Sequence, residues 1–325
     1  MSFKKITYSA LPSWLARLDF LGLFEKDPFG NYLVIKRILI FILGWFTYYR
    51  YTAVNKIRIT GTEHLADLPD QGVLFLSNHQ TYFADVIAFF HIFCAVKWGY
   101  KDTISPPFYL FSPRARMYYV AAAETMKGGL LPKIFSMGGA ITIERSWRAN
   151  GEDVKRQLDT SAQDRIGEGL HHGWVVSFPQ GTTKPYAPVR KGTAHLINDQ
   201  HPIVIPVVIN GFRRAFDKKG LRFKKRNTKL TVQFKPPMHF GQDESVEEMV
   251  ARVTRAIEQE APGVDTPGVD TPGVDTPRVD TPRVDTPRVD TPRVDTPRVD
   301  TPRVDTPRVD TPGVDTPGES INPEI

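Results

Sequence analysis

From Pro262 to Thr316 the chain repeats one pentad, Pro-Gly/Arg-Val-Asp-Thr, eleven times. A proline at every fifth position removes a backbone donor and clashes with the preceding helical turn, so neither a continuous helix nor an interior strand can form there. One valine per pentad supplies too little apolar surface to offset the entropy of ordering the chain. Residues 262–325 are therefore expected to form a disordered pentapeptide-repeat tail, extended and rich in polyproline II. Any hydrophobic core must come from residues 1–261.

The tail also changes the charge of what remains. Its eleven aspartates with Glu319 and Glu324, set against seven arginines, give −6, and the whole chain is +6, so residues 1–261 carry +12. A body this basic calls for an anionic partner: a membrane surface with anionic lipids, a phosphorylated substrate or a nucleic acid. The basic residues read as scattered or as flanking apolar runs. With no zinc spacing, basic heptad or RNA-stacking signature, nucleic acid is not expected as a partner. The single cysteine, Cys94, lies inside an apolar run and allows no intramolecular disulfide; it reads as a buried structural residue. The histidines, including His171-His172, lack ligand-like spacing, so no metal site is expected.

Residues 1–55 read as membrane-associating. Lys4 and Lys5 lead into a mixed segment without an A-x-A cleavage pattern, unlike a secretory signal. The apolar stretch Ile38 to Tyr49 is 12 uncharged residues, preceded by Lys36-Arg37 and followed by Arg50. As a helix it spans roughly 18 Å against a bilayer core of about 30 Å, short of a crossing. Trp45, Tyr48, Tyr49 and Tyr51 gather at one end, as aromatic side chains do at headgroup level. Earlier, Trp14, Leu15, Leu18, Leu21 and Leu23 recur at helical spacing within Leu11 to Phe24. A pair of amphipathic helices lying in one leaflet fits this pattern; a hydrophobic hairpin packed on the core is the other arrangement it allows.

Between these ends, residues 56–261 alternate short apolar runs with helical patterns. Val73 to Leu76 reads as a buried strand that breaks into Ser77-Asn78-His79, and the apolar segment Val86 to Val96 follows as a buried helix. A histidine just past a strand tip, with Asp85 about one helical turn beyond, suits a general base and the acid that orients it. The same spacing also suits a loop histidine beside an N-cap aspartate. Ala140 to Ile143 reads as a strand leading into Glu144-Arg145, and Glu152 to His172 as an amphipathic helix stopped by Gly173. Trp174 to Phe178 is a strand that breaks into Pro179-Gln180-Gly181-Thr182-Thr183-Lys184. Ile203 to Ile209 and Leu230 to Phe234 are further strands, and Ser245 with Glu248 forms a capping box for a last helix. Strands alternating with helices argue for an α/β domain with its ligand site at the strand ends. Three loops at such ends are candidate site elements: Asn78-His79, Glu144-Arg145 and Gln180 to Lys184. The third offers a glycine, two hydroxyls, backbone amides and a cation, which is what an anion or an oxyanion needs.

The order Asn78-His79…Asp85, Gly139 to Arg145, Phe178-Pro179-Gln180-Gly181-Thr182-Thr183 and Ile205-Pro206-Val207-Val208 resembles the PlsC-like glycerolipid acyltransferases over roughly residues 30–240. The resemblance implies a mixed sheet flanked by helices, with an N-terminal membrane-associated helical pair. It implies His79 as the base that deprotonates a lysolipid hydroxyl and Asp85 as its orienting acid. Asn78, Arg145, Gly181, Thr182, Thr183 and Lys184 are then the substrate-binding residues. It implies no cofactor beyond the acyl donor, acyl-CoA or acyl-carrier protein, and a peripheral or monotopic enzyme on the cytoplasmic face of a membrane.

Three departures from the family pattern bear on this. Five residues separate His79 from Asp85 where the family has four. One extra residue rotates a helical side chain by about 100°, so the insertion must be taken up before the helix begins. Gln180 stands where the family has glutamate, and Thr183 where it has arginine, which removes a bidentate phosphate donor. The acceptor the resemblance implies first is 1-acyl-glycerol-3-phosphate; the loss of that arginine opens a lyso-aminolipid as the alternative. A non-catalytic membrane scaffold of the same fold is the second alternative.

Overall fold

A computed structural model describes residues 25–126, 130–144, 148–149, 152–153, 160–241 and 243–261. The segment expected as the first amphipathic helix, Arg145 and the repeat tail lie outside the described residues. The described chain begins with helix α1 (Leu33–Thr52) and strand β1 (Lys56–Thr60), followed by β2 (Val73–Ser77) and α2 (Ala84–Lys97). Next come β3 (Met117–Ala122), the short α3 (Ala123–Met126), α4 (Leu130–Met137) and β4 (Ala140–Ile143). A two-residue pairing, β5 (Arg148–Ala149) with β6 (Glu152–Asp153), precedes α5 (Thr160–His172), β7 (Trp174–Ser177) and α6 (Gly192–Gln200). The order ends with β8 (Ile203–Asn210), α7 (Phe212–Ala215), β9 (Lys229–Phe234) and α8 (Val246–Ala256). Glu152 and Asp153, expected to open a helix, are in β6, and the described part of that segment is helical over Thr160–His172. The dipeptide separating β5 from β6 in sequence is Asn150-Gly151, the strongest short hairpin signal, which outranks the helical period there.

Seven strands form one mixed sheet in the order β1-β9-β8-β2-β7-β3-β4. β8, β2, β7, β3 and β4 are mutually parallel, whereas β9 runs antiparallel to β8 and parallel to β1. Every residue of β2 is buried, as the continuous apolar run Val73 to Leu76 requires of a central parallel strand. Its alternation divides the interior in two. Val73 and Phe75 join the core formed with α2, while Leu74 and Leu76 join Ile166 and Leu170 of α5 and Met249 and Val253 of α8 on the opposite face. Phe75, Phe93 and Trp174 are the centre of the first core, with ring centroids 4.4 to 5.2 Å apart. Truncating one of them to alanine costs about 3–5 kcal/mol. Pro206, inside β8, is tolerated because the ladder with β9 starts one residue later, at Val207–Phe234. The capping box at α8 is present, with Ser245 and Glu248 satisfying each other's backbone N–H.

α1 is apolar on two faces. Inward, Tyr51 is fully buried and donates its hydroxyl to Ala84 O at 2.8 Å, and Gly44 lies against Leu110. Tyr51 is therefore a core residue, not part of the aromatic headgroup cluster expected from sequence. Lys36, expected as a charge flanking the helix, is also fully buried; its Nζ donates to Met117 O at 2.6 Å and sits 4.1 Å from the Tyr118 ring centre. Outward, Ile35, Ile38, Ile42, Phe46 and Tyr49 are exposed, Phe46 to 76%, at the spacing of a single helical stripe. Among the described residues no helix is long and apolar enough to cross a membrane.

Candidate active site

The parallel strands bring their C-terminal ends to one edge of the sheet, the edge at which open α/β sheets bind ligands. β2 ends at Ser77, and Asn78 anchors the next turn. Its Oδ1 accepts the Ile209 N–H at 2.8 Å and its Nδ2 donates to Ile209 O at 2.9 Å. Asn78 was expected to bind substrate; both ends of its amide are instead engaged by the backbone of β8.

With Asn78 held, His79 projects from the strand tip. Its ring stacks on Phe178 at 3.9 Å between centroids, and Nδ1 lies 3.0 Å from Asp85 Oδ2. A carboxylate only accepts, so Nδ1–H donates and Nε2 is left as the acceptor of the neutral ring. Asp85, in the first turn of α2, is completely buried. Its Oδ2 also accepts the N–H groups of Gln80 and Thr81 at 2.6 and 2.9 Å, and Oδ1 accepts the Thr81 hydroxyl at 2.7 Å. The helix cap is Phe83, not Asp85. The carboxylate is thereby aimed at the histidine.

The helix begins at Ala84, so residues 80–83 between His79 and Asp85 form the turn that precedes it. Tyr82 and Phe83 donate their N–H groups to Lys218 O and Lys219 O, each at 3.0 Å. Gly220 closes this support from outside. It adopts φ +79°, and a Cβ there would come within 2.5 Å of Ala84 N. The segment between β8 and β9 therefore braces the turn that sets the His79–Asp85 geometry.

β7 delivers the third loop beside the histidine. Gln180 is buried, with Nε2 donating to Ala187 O at 2.7 Å and to Gln259 Oε1 at 3.1 Å, while its own Oε1 has no protein partner among the described residues. Gly181, at φ +64°, donates its N–H to Phe178 O at 2.8 Å. The loop's amides are expected from sequence to suit an anion or oxyanion, but this one is used by the turn itself. Thr182 N–H has no protein partner among the described residues, and its hydroxyl accepts Lys184 N–H at 3.2 Å. Lys184 is exposed and, like Thr183, is not part of the cleft wall.

His79, Tyr82, Thr125, Gly181 and Thr182 supply the polar groups of an open cleft whose space, counted out into solvent, is about 660 Å³. Its walls are apolar: Val86, Tyr119 to Ala122, Met126, Ile143 and Phe178. A base at the rim of an apolar slot suits an amphiphile whose reacting hydroxyl lies next to a long hydrocarbon chain.

One cation beside the site escaped the sequence reading. Arg213 is the second residue of α7, just past the C-terminal end of β8. Its backbone N–H donates to Gln80 Oε1 at 3.1 Å and its Nη2 donates to Thr183 O at 2.7 Å, joining the His79 loop to the β7 loop. Burial lowers its pKa from the ordinary value, with Asp85 pulling the other way. No carboxylate pairs with it among the described residues. The available signal was its position: Asn210-Gly211-Phe212-Arg213 follows a strand tip just as the other three loops do.

Comparison with known proteins gives three findings. Residues 56–210 match the family model described as Acyltransferase. The 1-acyl-sn-glycerol-3-phosphate acyltransferase of Limnanthes douglasii is 25% identical over 187 residues, which cover 56% of this chain and 54% of that protein. The protein of the same description from Limnanthes alba is 26% identical over 124 residues, 37% of this chain and 41% of that one. The chain thus spans about half the length of the curated relatives it matches. Among solved structures it is similar to the 1-acyl-sn-glycerophosphate (LPA) acyltransferase PlsC from Thermotoga maritima, with 17% identity and a TM-score of 0.41 over 75% of this chain and 87% of that chain.

Proposed function

From the premise that this chain belongs to the PlsC-like acyltransferase family, its matched domain being residues 56–210, we propose that it transfers a fatty acyl group from a thioester to the hydroxyl of a lysolipid. The observation that carries this is the His79–Asp85 pair at 3.0 Å, facing an apolar cleft. Nε2 of His79 takes the hydroxyl proton while the acceptor oxygen bonds to the thioester carbonyl carbon. Asp85 holds the tautomer and stabilises the imidazolium that forms. The tetrahedral oxyanion lies where Thr182 N–H can donate to it. Collapse breaks the carbon–sulfur bond, and the imidazolium returns the proton to the departing thiolate. The products are the diacyl lipid and the free thiol of coenzyme A or an acyl-carrier protein.

The acceptor proposed is 1-acyl-glycerol-3-phosphate, giving phosphatidate. It has the headgroup that Arg213, which pairs with no carboxylate among the described residues, would bind, with Arg145 as the second cation implied by sequence. Thr183 in place of an arginine favours the alternative acceptor, a lyso-aminolipid such as an N-acyl amino acid. A non-catalytic scaffold would have no use for a buried carboxylate aimed at a rim histidine. The exposed stripe of α1 suits monotopic or peripheral residence on the cytoplasmic face of a membrane.

The test is a panel of lysolipids offered with both donor types and read by mass spectrometry, using the wild type and His79→Ala. Lysophosphatidate should be acylated, and the variant should lose about 10²–10⁴-fold in rate while remaining folded. A variant retaining more than about a tenth of the activity would remove His79 as the base. A wild-type preference of about tenfold or more for the aminolipid would leave the alternative acceptor standing.

A further inference from the structure

The cations of this chain are not evenly scattered. Nine of the 17 residues from 213 to 229 are lysine or arginine, against the single acid Asp217. That acid is occupied within the loop, its Oδ1 accepting the N–H groups of Leu221 and Arg222 at 2.7 and 3.0 Å. Lys218, Lys219, Arg222, Lys225 and Arg226 are exposed, and among the described residues none of them forms an ion pair.

The loop is fixed in place. Phe216 is buried and meets Phe223 at 5.6 Å, and Arg50, in the last turn of α1, lies over both rings at 4.9 and 5.2 Å. Arg50 Nη2 also donates to Gly220 O and Leu221 O at 2.8 and 3.1 Å. The cationic loop is thereby stapled to the helix whose outward stripe, Ile38, Ile42, Phe46 and Tyr49, is exposed. Phe223, itself 37% exposed, sits among the charges. Cations joined to an aliphatic and aromatic stripe are the composition of a surface that seats in the headgroup layer of a bilayer. A nucleic acid or an acidic protein would account for the charges but not for the adjoining aliphatic stripe.

We propose that the loop between β8 and β9 is a docking surface for anionic phospholipid headgroups, and that it holds the mouth of the cleft against the bilayer. The second half of this rests on the acyltransferase reading, because the same loop carries the carbonyls of Lys218 and Lys219 that brace the His79 turn. The first half stands on the loop alone.

The experiment is co-sedimentation of the full chain with vesicles of phosphatidylcholine alone or mixed with phosphatidylglycerol, over a salt series. The wild type should prefer the anionic vesicles and lose that preference as salt rises. Each surface cation contributes about a fivefold change in partition. The combined variant Arg222→Gln, Lys225→Gln, Arg226→Gln should therefore bind anionic vesicles about a hundredfold more weakly, with binding to phosphatidylcholine unchanged. Exchanging lysine for arginine and arginine for lysine at the same three positions should keep the affinity, which separates charge from damage to the loop. Equal wild-type binding to the two vesicle types, or wild-type affinity in the glutamine variant, would overturn the proposal. So would a loss confined to a single-stranded oligonucleotide or an acidic protein. Turnover in detergent micelles should be unchanged in the variant; a wild type inactive in micelles would count against the acyltransferase reading and leave the vesicle result intact.

Discussion

At the scale of single residues, the site depends on which polar atoms are already in use. Asn78, Gly181 and Gln180 looked like ligand-binding groups in the sequence, yet Asn78 and Gly181 use their hydrogen bonds on the backbone and Gln180 ties the β7 loop to Gln259. Arg213 is the converse: its Nη2 meets one carbonyl, and no carboxylate pairs with it among the described residues. A charged hydrogen bond of this kind contributes about 1.5–3 kcal/mol. Arg213→Gln should therefore lower kcat/KM for lysophosphatidate by roughly 10–100-fold, mainly through KM. Arg213→Lys should recover part of that loss, and a lyso-aminolipid should be affected less. A fall in kcat with KM unchanged would assign Arg213 to the chemistry and not to the headgroup. His79 and Asp85 were legible in the sequence because a strand tip followed by a helix brings two local side chains together. Arg213 was not, because its neighbours Gln80 and Thr183 are 133 and 30 residues away.

At the scale of elements, α1 shows where hydropathy alone falls short. Its sequence reads as a membrane-facing helix, and one stripe is exposed, but the opposite face is part of the first core through Tyr51, Ile40 and Tyr48. Lys36 sits on that inner face. Burial pulls its pKa down to about 7 from 10.5, while Asp27 pulls it upward. Between those two values the unfolded chain holds a proton that the folded chain has released, so stability rises with pH across that window. Below it the full cost of burying the charged amine remains. Lys36→Met removes this dependence. Relative to wild type, the variant should be most stable near neutral pH and should lose that advantage toward pH 10, at up to about 1.4 kcal/mol per pH unit. Chemical denaturation of both proteins across that range measures the difference, and parallel profiles would show that Lys36 keeps its proton when folded.

At the scale of the whole chain, the central strands were readable, since β2, β7 and β8 each read as an apolar run; the structure places them side by side. The antiparallel placement of β9 against β8 was not readable, since nothing in Lys229 to Phe234 marks direction. For the repeat tail, which lies outside the described residues, composition supplies the expectation. Its pentads carry one valine each and a proline that would interrupt any ladder, so they are expected to add charge and length without adding core. Both faces of the sheet are filled by residues before Ala261, with Met249, Val253 and Ile257 of the last helix completing the second core. Truncation after Ala261 should therefore leave the thermal midpoint unresolved from that of the full chain. Turnover on a soluble short-chain lysolipid should stay within about twofold. Paired calorimetry and initial rates on the two forms measure both quantities. A midpoint lowered by several degrees would mean that the pentads contribute packing their composition does not supply, and a large fall in turnover at an unchanged midpoint would assign the tail a part in the reaction.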